Sequence, residues 1–259
     1  MSLPAGLDVA AVQRLLSTRW VGCPLLWFPG LDSTQEEARR RARQGAGPGL
    51  VVGAESQTAG RGRRGRVWRD RPGASLLFSV LLPPPTEHPG LLTVGVAAYL
   101  AAALETVSGA AVGVQWPNDL VLGRAKLGGL LAEVGEGVCV LGVGVNVVGP
   151  APELADGDRR TAAALYPAGE QPGRREAVLV ACLGAIEAAA EDLHPAGGNS
   201  LLARITERDA LRGREVRVSS PQGQWRGRAA GVSPEGALLL ETPTGTREVW
   251  AADALHVEA

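Results

Sequence analysis

The sequence is short of lysine. Its 26 basic residues are 25 arginines and a single lysine, Lys126. A chain that uses arginine for its other cations and keeps one lysine marks that position, because a guanidinium cannot imitate a compact ammonium on a flexible stem. Aromatic residues make up only 4%, too few for a surface that stacks successive bases. The three cysteines, Cys23, Cys139 and Cys182, are odd in number and form no CxxC pair. That excludes a disulfide scaffold, and they read as small core hydrophobes. The histidines His88, His194 and His256 show no metal-ligand spacing and read as surface residues. The longest apolar stretch, Leu91 to Leu104, stops at Glu105 and is too short to span a bilayer. No basic region followed by an apolar run opens the chain, so no secretory signal is expected, and the protein reads as cytoplasmic with reduced thiols. The net charge of −1 gives no global field for nucleic acid or an anionic membrane, and any anion site must be local.

What remains is an ordinary globular balance of 45% hydrophobic and 20% charged residues over 259 positions. That is enough for one large domain and a small satellite. The spacing predicts a short helix at Val9–Leu16 within an otherwise mixed start. A second helix opens at Ser33, whose spacing to Glu36 is that of a capping box, and runs to Gly45. Strands are expected at Leu50–Ala54, Ser75–Leu82, Val112–Trp116 and Val138–Val148. A hairpin joins Leu120–Leu122 to Lys126–Val134. Leu91–Val107 reads as a buried helix. A connection rich in Pro, Gly, Asp and Ala at 149–173 leads to helices at Arg174–Leu193 and Ser200–Leu211. After Gly213 come short strands at Val216–Ser219, Gln224–Val232, Ala237–Glu241 and Arg247–Trp250. They suggest a small β-barrel appended to an α+β domain, with domains at 1–211 and 212–259.

Two segments carry chemistry. Residues 56–68 read Ser-Gln-Thr-Ala-Gly-Arg-Gly-Arg-Arg-Gly-Arg-Val-Trp. Their G-x-G-x-x-G spacing does not lead into a helix, as a dinucleotide fingerprint must. Six arginines, Arg61, Arg63, Arg64, Arg66, Arg69 and Arg71, lie within eleven residues against one Asp70. Clustered guanidinium forks suit carboxylate and phosphate oxygens. Repulsion and glycine entropy should keep the loop loose until an anion binds. The run also fits a solvated charge cluster or an RNA contact. In the second segment Gln115-Trp116-Pro117-Asn118-Asp119-Leu120 ends one strand and Lys126-Leu127-Gly128-Gly129 starts the next, so the polar heads of Asn118, Asp119 and Lys126 can converge. Asn118-Asp119 is also an ordinary turn pair after proline. Trp116 reads as core. Leu141-Gly142-Val143-Gly144-Val145-Asn146 places two glycines in a strand, where a ligand can approach the backbone, and Asn146 also suits a turn at the strand end.

Taken in order, Asp-Ser-Thr at 32–34, the SQTAGRGRRGRxW loop, WPNDL, KLGGLLxE and GxGxN resemble the biotin protein ligase family from Asp32 to Val148. GVSPEGALLLE near the end is similar to that family's C-terminal SH3-like domain. The resemblance implies an α+β fold, a class II aminoacyl-tRNA-synthetase-like mixed sheet with helices, followed by a small SH3-like β-barrel. It implies a ligase that activates biotin with ATP and magnesium as biotinyl-5′-AMP. The biotin is then transferred to a lysine of a biotin carboxyl carrier protein of a carboxylase. It further implies that Ser33, Thr34 and Gln57 bind the ureido end of biotin. Gly60, Gly129 and Gly142 would let backbone groups approach the ligand. Lys126, with Arg61 and Arg63, would serve catalysis between the biotin carboxylate and the α-phosphate. Arg63, Arg66, Trp68, Asn118 and Asn146 would lie at the nucleotide, and Asp119 would help hold magnesium or orient the incoming lysine. Gln115 departs from the lysine common in the family at that position. The segment before Ser33 is too short for a three-helix reader of the major groove, so no DNA binding is expected. A homodimer is expected by analogy. Lipoate–protein ligase, which shares the acyl-adenylate chemistry, is the nearest alternative, and an Arg/Gly-loop nucleic-acid-binding protein is the alternative from another class.

Overall fold

A computed structural model describes residues 6–85, 89–154, 160–169, 173–193, 198–220, 223–250 and 254–258. Its main sheet has seven strands: β1 Leu25–Phe28, β2 Val51–Ala54, β3 Ser75–Leu82, β4 Val112–Gln115, β5 Asp119–Leu122, β6 Ala125–Gly135 and β7 Val138–Asn146. Their order across the sheet is β1-β2-β3-β7-β6-β5-β4. Only β1 and β2 run parallel; the other neighbours are antiparallel. The helices are α1 Val9–Leu15, α2 Thr34–Arg43, α3 Leu92–Ser108, α4 Arg174–Asp192 and α5 Gly198–Arg208. The second sheet holds β8 Glu215–Ser220, β9 Gly223–Val232, β10 Leu238–Thr242, β11 Gly245–Val249 and β12 Ala254–Val257, all antiparallel. It forms the SH3-like part.

Period-2 alternation along β3 builds two layers. Leu76, Phe78, Val80 and Leu82 face the main core with α3 and α4. Leu81 faces a smaller cluster with Ala38 of α2. Leu77 and Ser79, both fully buried, share that second face, which also carries the site. Helix α3 is apolar nearly all round and is buried accordingly. It stops at Gly109, which takes the left-handed conformation (φ 74°) that a side chain would resist. Helix α2 places Glu36 and Glu37 in its first turn and Arg40, Arg41 and Arg43 in its last, the arrangement the helix dipole favours. No described helix is long and apolar enough to cross a membrane.

Three sequence expectations change here. The start of the chain reads as mixed, yet Leu25–Phe28 is a strand; its four residues show no alternation and are fixed by parallel pairing with β2 across the α2 crossover. Ser33 stands at the N-cap of α2 but makes no side-chain cap bond, and the reciprocal arm of the box is replaced too: Glu36 pairs with Arg39 and Arg61, and Ser33 N donates to Asp32 Oδ1. Cys139 and Cys182 are buried, and burial pushes both thiols up to about 12, but Cys23 is exposed. His256 is exposed as expected, while His88 and His194 lie outside the described residues.

Glu187 of α4 shows how the fold spends a charge. Its carboxylate accepts from the backbone N–H groups of Arg19, Trp20 and Val21 at 2.8–3.0 Å. Burial opposes its ionisation, but those three donors and the Arg19 charge more than offset it and hold the carboxyl below its usual range. A depressed folded pKa contributes stability that is present above the unfolded pKa and is lost as pH falls through the folded value. Glu187→Gln should therefore lower unfolding free energy by about 1–2 kcal/mol at neutral pH, with the difference shrinking to nothing in strong acid; denaturant melts of both proteins across pH check this.

Candidate active site

The site lies on the α2 face of the main sheet, where cross-strand register lines up small residues. Leu77 of β3 is opposite Gly144 of β7. Gly144 is opposite Gly129 of β6, and Gly129 is opposite Asp119 of β5. The row runs from an apolar end, across two glycines, to a carboxylate. Trp68 lies on the glycines: a Cβ at Gly144 would sit 2.5 Å from its ring, and one at Gly129 would sit 3.5 Å from it. Lys126 Nζ is 5.7 Å from the same ring's centroid.

The cavity above this floor has a volume of about 170 Å³. All the residues expected from the sequence line it except Gly60. A Cβ at Gly60 would meet Trp68 O at 2.7 Å, so that glycine lets the loop close on itself. Gly142 also serves the protein's own packing, since a Cβ there would meet Gln35 Oε1 at 2.4 Å. Of the three glycines expected at a ligand, Gly129 is the one whose nearest neighbours are the functional side chains Asp119, Trp68 and Lys126.

Backbone bonds give the arginine loop a shape of its own. Trp68 N donates to Gly60 O at 3.0 Å and Gly62 N to Arg66 O at 2.7 Å, which makes a short irregular hairpin. At its tip Arg64 adopts φ 57°, a strained left-handed conformation for a residue with a side chain. Arg61 pairs with Glu36 Oε1 at 2.7 Å. Arg39 binds that same oxygen at 2.6 Å and reaches Glu133 of β6, also at 2.6 Å. Arg63 donates to Asn118 Oδ1 at 3.2 Å, and Asn118 Nδ2 donates to Leu130 O at 2.8 Å. Each end of the Asn118 amide therefore has a partner in the protein, and the residue brackets Arg63 at the cavity wall. Burial, with the neighbouring charges of Arg64 and Arg66, pushes Arg63 down from the usual arginine value.

At the other end Thr34 Oγ1 lies 2.9 Å from Ser79 Oγ, and its backbone N–H donates to Gln57 Oε1 at 2.8 Å. Buried polar atoms of cavity-lining residues without a hydrogen-bond partner among the described residues include Ser33 Oγ, Trp68 Nε1 and Asn146 Oδ1. Each such group costs about 1–3 kcal/mol if nothing satisfies it, and their convergence on one cavity points to a polar ligand. Lys126 Nζ is 3.0 Å from Asp119 Oδ1, as the hairpin spacing predicts. Arg160 reaches Asp119 Oδ2 at 2.7 Å. Each oxygen of Asp119 thus faces a cation. The described residues also hold no cluster of His, Cys, Asp and Glu fit for a metal. Trp116 is core, as expected, with Nε1 donating to Gly236 O at 3.0 Å.

Sequence reasoning missed Gln35, Glu36 and Arg160. Gln35 packs under the floor, where its amide nitrogen donates to Leu131 O and Val140 O and its oxygen accepts from Ser79. Its spacing three residues before buried Ala38 was the available signal. Arg160 lies in the long connection, where no local pattern marks it.

The comparisons agree with this geometry. Residues 27–148 match the model of the biotin/lipoate A/B protein ligase family, and residues 212–257 match the biotin protein ligase C terminal domain. The biotin--[acetyl-CoA-carboxylase] ligase of Mycobacterium tuberculosis is 37% identical over 235 residues, 87% of this chain and 86% of its own length. The bifunctional ligase/repressor BirA of Bacillus subtilis is 30% identical over 258 residues, 96% of this chain and 79% of its own. The biotin protein ligase from Aquifex aeolicus, solved in complex with biotin and ATP, superposes with a TM-score of 0.77 at 27% identity. That match covers 90% of this chain and 99% of the other. With a sheet, a cavity and two sequence blocks all in agreement, the chain belongs to the biotin/lipoate A/B protein ligase family.

Proposed function

We propose that this protein is a cytoplasmic, ATP-dependent biotin–protein ligase, with residues 1–211 as its catalytic unit and 212–259 as an appended barrel. The observation that carries the reading is the set of unpartnered buried groups, Ser33 Oγ, Trp68 Nε1 and Asn146 Oδ1, in the cavity that also holds Lys126 and the arginine loop. A ligand with hydrogen-bonding groups at both ends and an anionic middle satisfies that set. In the first step an oxygen of the biotin carboxylate attacks the α-phosphorus of ATP. A P–O bond forms, the α–β anhydride breaks, and pyrophosphate leaves. In the second step the amine of a carrier lysine attacks the acyl carbon of biotinyl-5′-AMP; a C–N bond forms and AMP departs. The acceptor is a lysine of a biotin carboxyl carrier protein.

Ser33, Thr34 and Gln57 bind the ureido end. Lys126 supplies a point charge between carboxylate and α-phosphate, where the two anions repel. Arg61, Arg63 and Arg66 cover the adenylate and keep water from the mixed anhydride. Trp68, seated on Gly144, offers its other face to adenine, and Asn146 Oδ1 accepts from the base. Magnesium enters as the counter-ion of the nucleotide substrate.

Incubation with biotin, magnesium-ATP and a carrier domain should add one biotinyl group to the carrier, read by intact mass. Stabilisation by lipoate plus ATP but not by biotin plus ATP in a thermal melt would move the assignment to lipoate. Lys126→Arg should keep the melting temperature but cut biotin-dependent pyrophosphate release by about a hundredfold or more; unchanged release would make the lone lysine incidental. Gly144→Val should unseat Trp68 and weaken ATP binding by at least about tenfold while biotin binding stays within a few-fold, as calorimetry would show. Hydrogen exchange at 59–68 should slow when biotin and ATP are both present; equal exchange with and without them would remove the covering role of the loop.

A further inference from the structure

At the α2 end of the cavity the hydrogen bonds have directions that the chemistry of their atoms fixes. They start from Gln35, whose amide nitrogen lies among three acceptors: Leu131 O at 3.2 Å, Val140 O at 3.1 Å and Glu133 Oε2 at 3.1 Å. A main-chain carbonyl can only accept, so the amide atom beside Leu131 and Val140 is the nitrogen. The opposite atom, Oε1, then has no proton to give. It sits in the room left by Gly142, where a Cβ would stand 2.4 Å from it. Ser79 Oγ lies 3.1 Å from that oxygen, so the single serine proton is committed to Gln35. Ser79 Oγ also meets Thr34 Oγ1 at 2.9 Å. With the serine proton spent, that contact is a hydrogen bond only if the threonine donates. A second contact of Thr34 Oγ1 is Gln57 Oε1 at 3.1 Å. That oxygen also accepts from Thr34 N and has no proton either. Whichever of the two it serves, the threonine proton points into the protein.

Thr34, Gln35 and Ser79 are all buried, so a mismatched contact among them is costly. What Thr34 shows to the cavity it lines is therefore a lone pair. The group that lies against it must bring a proton. A ring with an N–H, as in a cyclic urea, meets that demand. A dithiolane ring carries no N–H and leaves the lone pair unmet, and a ring oxygen would set lone pair against lone pair. We propose that Gln35 is a positioning residue for specificity: through Ser79 it commits the Thr34 hydroxyl as an acceptor, and so selects a ring that bears an N–H over one that does not. The role is indirect, since Gln35 acts through Ser79 and Thr34, and it rests on the ligase reading above.

Calorimetry on the full-length protein tests this, with biotin and its two cyclic carbamates, in which oxygen replaces one or the other ring N–H, as the probes. Wild-type protein must first bind biotin; absence of binding overturns the ligase reading itself, before any variant is compared. One carbamate should then bind wild-type protein at least about a hundredfold more weakly than biotin. Gln35→Met keeps the length of the side chain but offers the serine proton no acceptor, so Ser79 is free to donate to Thr34 and Thr34 to the ligand. Biotin binding should weaken by about tenfold in this variant, while the preference for biotin over that carbamate shrinks to about tenfold or less. A change that only loosened the pocket would weaken both ligands alike and leave the preference at its wild-type value; that result overturns the proposal. So would wild-type protein that binds both carbamates as tightly as biotin. If Gln35→Met does not fold, Ser79→Ala, which removes the inward acceptor of the Thr34 proton directly, is read by the same ratio.

Discussion

A patch of sheet without side chains is the constraint from which the site follows. Where β6 meets β7, Gly129 and Gly144 stand opposite each other, and nothing rises from the floor. An indole can lie there because Gly144 has no Cβ. Once Trp68 is seated, the arginine hairpin before it closes over the cavity, and the residues around it fall into place. The polar ends of the cavity are then fixed by the neighbouring rows: Ser79 and Gly142 toward α2, Ser75 and Asn146 toward the connection at 160–166. Register, more than any single bond, decides which chemical groups meet.

Upon that floor the charged side chains are linked to one another and not set out as separate pairs. Arg61 shares Glu36 with Arg39, Arg63 rests on a neutral amide, and Lys126 shares Asp119 with Arg160. Single ion pairs at half-exposed positions are worth little, whereas shared ones fix several side chains at once. In a chain with a net charge of −1, the local run of arginines around the cavity is what can meet two anionic substrates.

Much of this was legible in the sequence, and the reasons are specific. β3 is eight consecutive apolar or small residues ended by three prolines, a pattern with one reading. The Asn118–Lys126 hairpin was legible because its turn is short, which forces the heads of Asp119 and Lys126 together. The glycines were visible but their uses were not. Gly60 and Gly142 make room for Trp68 O and for Gln35, partners set by tertiary packing. Asn118 was legible as a site residue but its hold on Arg63 was not, since the loop that supplies Arg63 is 55 residues away. Arg160 was beyond reach because its place at Asp119 depends on the connection after β7, where no local pattern marks it.

The seam between the two sheets carries a consequence of its own. Trp116, immediately before the Pro117-Asn118-Asp119 turn, hydrogen-bonds Gly236 of the second sheet. Gly90 and Gly236 touch so closely that a methyl group on either would collide with backbone. The turn that delivers Asp119 is thus moored to the appended barrel by an indole, and the start of α3 by bare main chain. A barrel borrowed from a relative would dock only if it brought a glycine at that spot, which makes the pair of modules co-inherited hardware instead of interchangeable parts.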